Sequence, residues 1–294
     1  MLIAGNEPYL GPMARSTDIS PLSKVLARAD AVADGAQSTD TIATGFPSLD
    51  RMLGGGVRRG DLVVLGGDVG SGKSAFALAV AMRAAQLRLR VTFFSGEMST
   101  DRLHERALAI EGRVRVDDLR QGVPNDVARA SVGAAAVRLR DTFPQLDVLA
   151  SGGVAALSEH LEEAKNDLII VDSLQNLVRG TRESDEELAD AVRRLKALAI
   201  EQHVAIFTTA QLPHLTARDD RRPQLDDFGA MGAVKHHADV VLALFREDMY
   251  DRRREIEGAT ELLVRKNRNG SLGYVDLYFY AQWMRFEDML DPDR

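Results

Sequence analysis

Short apolar runs recur along the chain at Leu62-Val63-Val64-Leu65, Val91-Thr92-Phe93-Phe94, Leu168-Ile169-Ile170-Val171, Val204 to Ala210 and Val240-Val241-Leu242-Ala243-Leu244. They lack the strict apolar-polar alternation of a half-buried strand, so each predicts a strand covered on both faces, as in a mainly parallel sheet flanked by helices. The stretches between them carry the helices. Ala75 to Ala85 is alanine-rich, and Thr100 to Phe143 reads as mostly helical with Gly122 and Pro124 as punctuation. A helix from about Ser184 to Gln202 has Asp and Glu in its first turn, where the helix dipole favours them. Past Leu244 the pattern changes. Glu261 to Arg265 and Tyr274 to Tyr280 flank Lys266-Asn267-Arg268-Asn269-Gly270-Ser271, and Asn-Gly is a strong turn signal, so an antiparallel hairpin closes an α/β fold.

Ahead of the first strand, Pro21 to Ala33 places Leu22, Val25, Leu26, Ala29 and Val32 or Ala33 at helical spacing, an amphipathic helix with one apolar face. That face packs either on its own domain or on a neighbouring subunit. Asp34-Gly35-Ala36-Gln37-Ser38 reads as a hinge. Residues 1–20 scatter Gly, Pro, Ser and Asn without periodicity and read as a flexible leader. The expected organisation is leader 1–20, linker helix and hinge 21–38, and one domain over 39–294.

Composition narrows the class. A chain of 294 residues with 45% hydrophobic content can bury a substantial core. The absence of cysteine excludes a disulfide scaffold and any cysteine-based zinc site. No basic leader precedes a long apolar stretch and no run approaches the roughly 20 apolar residues that span a bilayer, so the expectation is a soluble, cytoplasmic protein with no membrane partner. A formal charge of -7 argues against a surface that is basic all over. It leaves room for an assembly that is acidic outside and lines a channel with a few Arg or Lys.

The candidate chemistry starts at Gly67-Asp68-Val69-Gly70-Ser71-Gly72-Lys73-Ser74, between the first strand and the helix that begins near Ala75. This is the P-loop spacing. Its glycines let backbone N–H groups close around phosphate oxygens, and the helix start adds its positive end. Lys73 then reaches the β- and γ-phosphates and the Ser74 hydroxyl holds Mg²⁺. Glu97, just past the strand ending at Phe94, belongs at the carboxyl edge of the sheet, where doubly wound folds bind ligands. Asp172 closes an apolar strand and suits a metal-holding acid, or else an N-cap of the next helix. Gln211 ends another strand. The basic turn at Lys266 to Arg268 is either a projecting functional tip or an ordinary solvated one.

Taken together, Ile42 to Asp61, the P-loop, Phe94-Ser95-Gly96-Glu97-Met98-Ser99, Ile170-Val171-Asp172-Ser173-Leu174-Gln175, Ala210-Gln211-Leu212, Ala238-Asp239-Val240-Val241 and Lys266-Asn267-Arg268-Asn269-Gly270 resemble the C-terminal ATPase of DnaB-type replicative helicases. The resemblance runs from about Ile42 to Glu287. It implies a RecA-like P-loop NTPase fold, a hexameric ring, and ATP with Mg²⁺ bound between neighbours. Lys73 and Ser74 then hold phosphate and metal, Asp172 is the Walker B acid, and Glu97 is the general base. Gln211 senses the γ-phosphate. Arg268, with Lys266 two residues before it, is a finger inserted into the neighbour's site. The helix at 21–33 becomes a linker docked on the next subunit, and single-stranded DNA is the expected partner in the channel.

Two departures qualify the resemblance. Replicative members carry a helical N-terminal domain ahead of the linker, whereas about twenty residues precede it here, so no primase-binding role carries over. The channel loop, typically Asp-Leu-Arg-Glu-Ser-Gly, reads Asp227-Phe228-Gly229-Ala230-Met231-Gly232 and lacks its phosphate-contacting charge. Backbone N–H groups at Gly229 to Gly232, or Lys235 and Arg222, are the available substitutes. A RadA-like recombination ATPase and a regulatory or scaffold ATPase that binds protein partners remain the alternatives.

Overall fold

The computed structural model describes residues 21–36, 39–123, 125–148, 153–178, 185–215, 218–250 and 257–289. The leader over 1–20, the Gln37-Ser38 end of the hinge, Pro124 and Ser184 lie outside the described residues. The chain divides into two units, Met1–Thr39 and Asp40–Arg294. In the first, helix α1 (Pro21–Ala33) forms over the predicted stretch, with Leu22, Val25, Leu26 and Val32 exposed.

The second unit opens with β1 (Thr41–Ile42), α2 (Pro47–Met52) and β2 (Val57–Arg58). Then come β3 (Leu62–Gly67), α3 (Lys73–Gln86), β4 (Val91–Ser95), α4 (Thr100–Gly112), α5 (Val116–Gln121), α6 (Asp126–Arg140), β5 (Gln145–Val148) and α7 (Gly153–Glu163). They are followed by β6 (Leu168–Asp172), α8 (Asp185–Gln202), β7 (Ala205–Gln211), α9 (Ala233–His237) and β8 (Val240–Phe245). The chain closes with β9 (Ala259–Asn267), β10 (Gly273–Tyr280) and β11 (Arg285–Asp288).

Among the described residues, nine strands form one sheet in the order β11-β10-β9-β8-β3-β7-β6-β4-β5. The six from β8 to β5 are parallel, and β9, β10 and β11 continue the sheet antiparallel. Alternation sorts the apolar runs between two cores. Val63, Leu65, Leu168 and Ile170 face α3, while Leu62, Val64, Ile169 and Val171 face α7 and α8. Both faces are covered, which is why the runs read as continuous.

The α3 core is built on aromatic contacts. Phe76 stacks on Phe46 at 4.5 Å between centroids and meets Phe286 edge-on at 5.6 Å. Each buried phenylalanine contributes about 1.5–3 kcal/mol of transfer free energy. Phe286 comes from β11, so the last strand holds the helix that follows the P-loop.

Several elements exceed the sequence reading. Leu212 to Ala238, expected to be loop, contains short helical turns over Leu225–Phe228 and Ala230–Gly232 and the helix α9. Its apolar residues Leu212, Phe228 and Val234 join the α8 core, and that burial orders it. The hairpin strand runs on to Asn267, so Lys266 belongs to β9 and not to the turn. β9 also carries a bulge opposite the Val241/Leu242 step, with Arg265 as the extra residue. Before the bulge Leu262 and Val264 face the α3 core; beyond it Lys266 and Arg268 bond to α9 on the other face.

Candidate nucleotide-binding site

The P-loop follows β3 at the carboxyl edge of the parallel strands, and α3 begins at Lys73 and Ser74 with Ala75 buried behind them. Two glycines are dictated by space. A Cβ on Gly67 would lie 2.5 Å from Ser71 Oγ, and one on Gly72, whose φ is 101°, would lie 2.7 Å from the Phe286 ring. Val69 and Gly70 form the exposed crest of the loop. Ser71 Oγ is buried against Gly67 and has no hydrogen-bond partner among the described residues.

Lys73 folds back into its own loop, donating from Nζ to the carbonyls of Gly67 and Asp68 at 2.9 Å each. Burial pulls its pKa down, and the charges of Asp172, Glu97 and Asp68 oppose that shift. Asp172 is 1% exposed. Burial raises its pKa against hydrogen bonds from Thr209 and Ser74. Thr209 Oγ1 donates to Asp172 Oδ1 at 2.6 Å, while Oδ2 has no partner among the described residues. A buried carboxylate oxygen left open beside a serine hydroxyl fits a hard divalent cation such as Mg²⁺. Asp172 serves no N-cap there, since the next residues form a short 3-10 turn with Ser173 at its N-cap position.

Glu97 extends past β4 into solvent, and its Oε1 accepts a hydrogen bond from Ser173 Oγ at 3.2 Å. Ser173 is itself held by Asn176, whose Nδ2 donates to Oγ at 3.0 Å. Asn176 fits only because residue 96 is glycine; a Cβ there would stand 2.3 Å from it. Gln211 ends β7 beside Gly67. Thr209, Gln211 and Phe207 share a strand face, so Thr209 was findable by period-2 counting from the buried Phe207.

A cavity of about 380 Å³ opens over this edge and brings Lys73, Ser74, Glu97, Asp172 and Gln211 together. Sequence reasoning missed Arg106 and Arg246, which also line it. Arg106 lies between Leu103 and Ile110 on the buried stripe of α4, a cation at an apolar spacing that was the available signal. Its pKa is lowered by burial and supported mainly by Asp172. Arg246 pairs with Asp248 at 2.7 Å and lies over the Phe279 ring at 5.0 Å. Phe279 and Met284 add an apolar wall suited to a flat ring.

Lys266 and Arg268 are not in this cavity. They sit at the amino edge of the same strands, where Lys266 Nζ donates to the carbonyls of Lys235 (2.7 Å) and His236 (3.3 Å). Arg268 donates to His236 O at 2.8 Å and to Asp239 Oδ1 at 3.1 Å.

A glycine cradle, a buried acid with an open oxygen and an exposed glutamate at the carboxyl edge of a parallel sheet define a P-loop nucleotide-binding protein of the α/β class. The family described as DnaB-like helicase C terminal domain matches residues 41–288, and the chain belongs to that family. It is 34% identical over 262 residues to the replicative DNA helicase DnaB of Geobacillus stearothermophilus and 31% identical over 261 to the replicative DNA helicase DnaC of Bacillus subtilis (strain 168). Each match covers 84% of this chain and 56% of the relative, so the chain spans about half the length of these relatives. Among solved structures, an isolated ATPase domain superposes with a TM-score of 0.82 at 23% identity, covering 93% of this chain and 100% of that one. A DnaB-like replicative helicase solved for its interactions with primase gives 0.82 at 24%, covering 92% of this chain and 66% of that one. The family match decides against the RadA-like alternative.

Proposed function

We propose that this chain is the motor part of a ring-forming helicase, hydrolysing ATP at interfaces between copies of itself and coupling hydrolysis to movement along single-stranded DNA. One observation carries it. The P-loop set and the Lys266/Arg268 pair occupy opposite edges of one sheet, so a single chain cannot bring them together. Head-to-tail packing of copies does, and such heterologous packing closes into rings or runs on as spirals. A ring of six follows the family.

Lys73 and the loop N–H groups bind the phosphates, and Ser74 with Asp172 would hold Mg²⁺. When bound, that ion supplies neutralisation of the developing phosphate charge. Glu97 accepts the proton of the attacking water, and Gln211 reads the γ-phosphate. Arg268 of the next copy, aided by Lys266, stabilises the transferring phosphoryl group, which is worth roughly 10³–10⁵ in rate. The apolar stripe of α1, at Leu22, Val25, Leu26 and Val32, is the face that would dock on a neighbouring copy.

The test is ATPase rate and oligomer mass with and without single-stranded DNA, with Glu97→Gln as the hydrolysis-deficient control. Arg268→Ala should lose hydrolysis while binding nucleotide, and mixing it with Lys73→Ala should restore activity at hybrid interfaces. Absence of DNA binding at low salt, where phosphate contacts are strongest, would sink the translocase.

A second reading, a ring that engages a protein in place of DNA, has its own support. Three cations around the channel loop are paired: Arg218 with Asp227 at 2.7 Å, Arg222 with Glu261 at 2.6 Å and Lys235 with Asp226 at 2.8 Å. Phe228 and Ala230 are buried, and Ala230 N–H donates to Asp185 Oδ1 at 3.1 Å. Lys235, Arg222 and part of the backbone expected to meet phosphates are therefore engaged within the chain, and Met231 is the exposed apolar residue of the loop. The same DNA experiment separates the two readings.

A further inference from the structure

Asp239 stands at the amino edge of the sheet, one residue before β8, and is 4% exposed. Its two oxygens have different partners. Oδ2 accepts from Leu62 N–H at 2.8 Å and from Lys196 Nζ at 2.6 Å, and the Asp239 N–H donates to Leu62 O at 2.9 Å. Those bonds bind β8 to β3 and to α8, and the sheet edge needs no more. Oδ1 instead accepts from Arg268 at 3.1 Å, and the Asp239 carbonyl accepts from the Arg268 N–H at 3.0 Å.

The side chain so held is half exposed on a hairpin turn. An ion pair between two exposed partners there would be screened and weak. Here one partner is buried and already fixed by Leu62 and Lys196, so the direction of the guanidinium is set from below. The neighbouring residue is fastened too, since Asn269 Nδ2 donates to Asp61 Oδ2 at 2.6 Å. The bulge at Arg265 is what brings Arg268 to this side of the sheet at all.

We infer that Asp239 is a positioning residue for Arg268, holding it in the orientation in which it enters the site of the next copy. This rests on Arg268 acting in trans, as proposed above. A positioning role makes a particular demand: the defect of an Asp239 variant must appear in its neighbour's pocket and not in its own.

The experiment is steady-state ATPase of the full chain with nucleotide binding followed in parallel. Asp239→Asn keeps an oxygen for Leu62 N–H and loses the charge that faces Arg268. The expected result is a kcat lower by about ten- to a hundredfold, the scale set by misplacing a catalytic group. Nucleotide affinity changes by less than about twofold, because the variant's own P-loop is intact. Mixing with Lys73→Ala restores activity, since that copy lends a sound finger to the sound P-loop of the Asp239→Asn copy.

Unchanged kcat in Asp239→Asn beside a strong loss in Arg268→Ala overturns the inference and leaves the trans finger standing. So does a loss that Lys73→Ala fails to rescue while rescuing Arg268→Ala. Full activity in Arg268→Ala instead removes the finger itself, and the inference with it. Asp239→Asn also leaves Lys196 uncompensated, so the double variant Lys196→Gln/Asp239→Asn, which removes both charges, is read the same way where the single one does not fold. Loss of fold in both assigns Asp239 to sheet-edge stability and overturns the proposal.

Discussion

Gln175 holds the backbone of Gln211 at both ends: its Nε2 donates to the Gln211 carbonyl at 3.3 Å and its Oε1 accepts from the Gln211 N–H at 3.2 Å. Gln211 is the last residue of β7, where a strand end would fray, and Gln175 comes from the turn that follows Asp172. The turn that follows Asp172 therefore also fixes the end of β7. Gln175→Ala removes two hydrogen bonds, each worth about 1 kcal/mol net. ATPase kcat should fall roughly tenfold with nucleotide affinity preserved, and an unchanged kcat would show that Gln211 needs no anchor.

Thr209 Oγ1 is the hydroxyl that donates to Oδ1 of the buried Asp172. Thr209→Val leaves that carboxylate short of a donor, a cost of about 1–3 kcal/mol. The denaturation midpoint should drop, and half-maximal activity should require more Mg²⁺. A variant as stable as the parent would mean that Asp172 finds another partner.

Glycine substitutions should diverge sharply. Gly72→Ala meets the Phe286 ring and requires a left-handed backbone, so it should lose nucleotide binding and lower the melting temperature. Gly133, within α6, has open space around its Cβ position. Gly133→Ala should stabilise by about 0.5–1 kcal/mol through helix propensity, leaving ATPase unaltered. Thermal melts of the two check both directions.

Glu97→Gln keeps the shape of the side chain and removes its basicity. Hydrolysis should fall by about 10²–10⁴, the range of general-base catalysis, while ATP still binds and copies still assemble. A modest loss would transfer the base to another group.

The sequence made the site legible where chemistry is local. The P-loop, Asp172 and Glu97 each follow an apolar run that predicts a strand, and each lies where the strand ends. What stayed hidden depends on distance or on the backbone. Asp68, read as one more loop position, is bonded to His214 and, at 3.2 Å, to Tyr250, partners far along the chain. The bulge at Arg265 has no residue signature, yet it decides which face Lys266 and Arg268 occupy. β5, α7 and α9 are short elements with little contrast against their surroundings, and burial of Leu157 and Val234 orders the two helices more than local propensity does.

The separation of Arg268 from the P-loop by the length of β3, six residues or about 20 Å, gives the proposed assembly a direction. A copy without Lys73 silences its own pocket and remains a competent donor to the next. A copy without Arg268 keeps a working pocket and disables another's. Two such lesions complement at an interface in one order and not in the other, so randomly mixed equal amounts of the two inactive chains should revive about a quarter of the pockets, as head-to-tail contacts require.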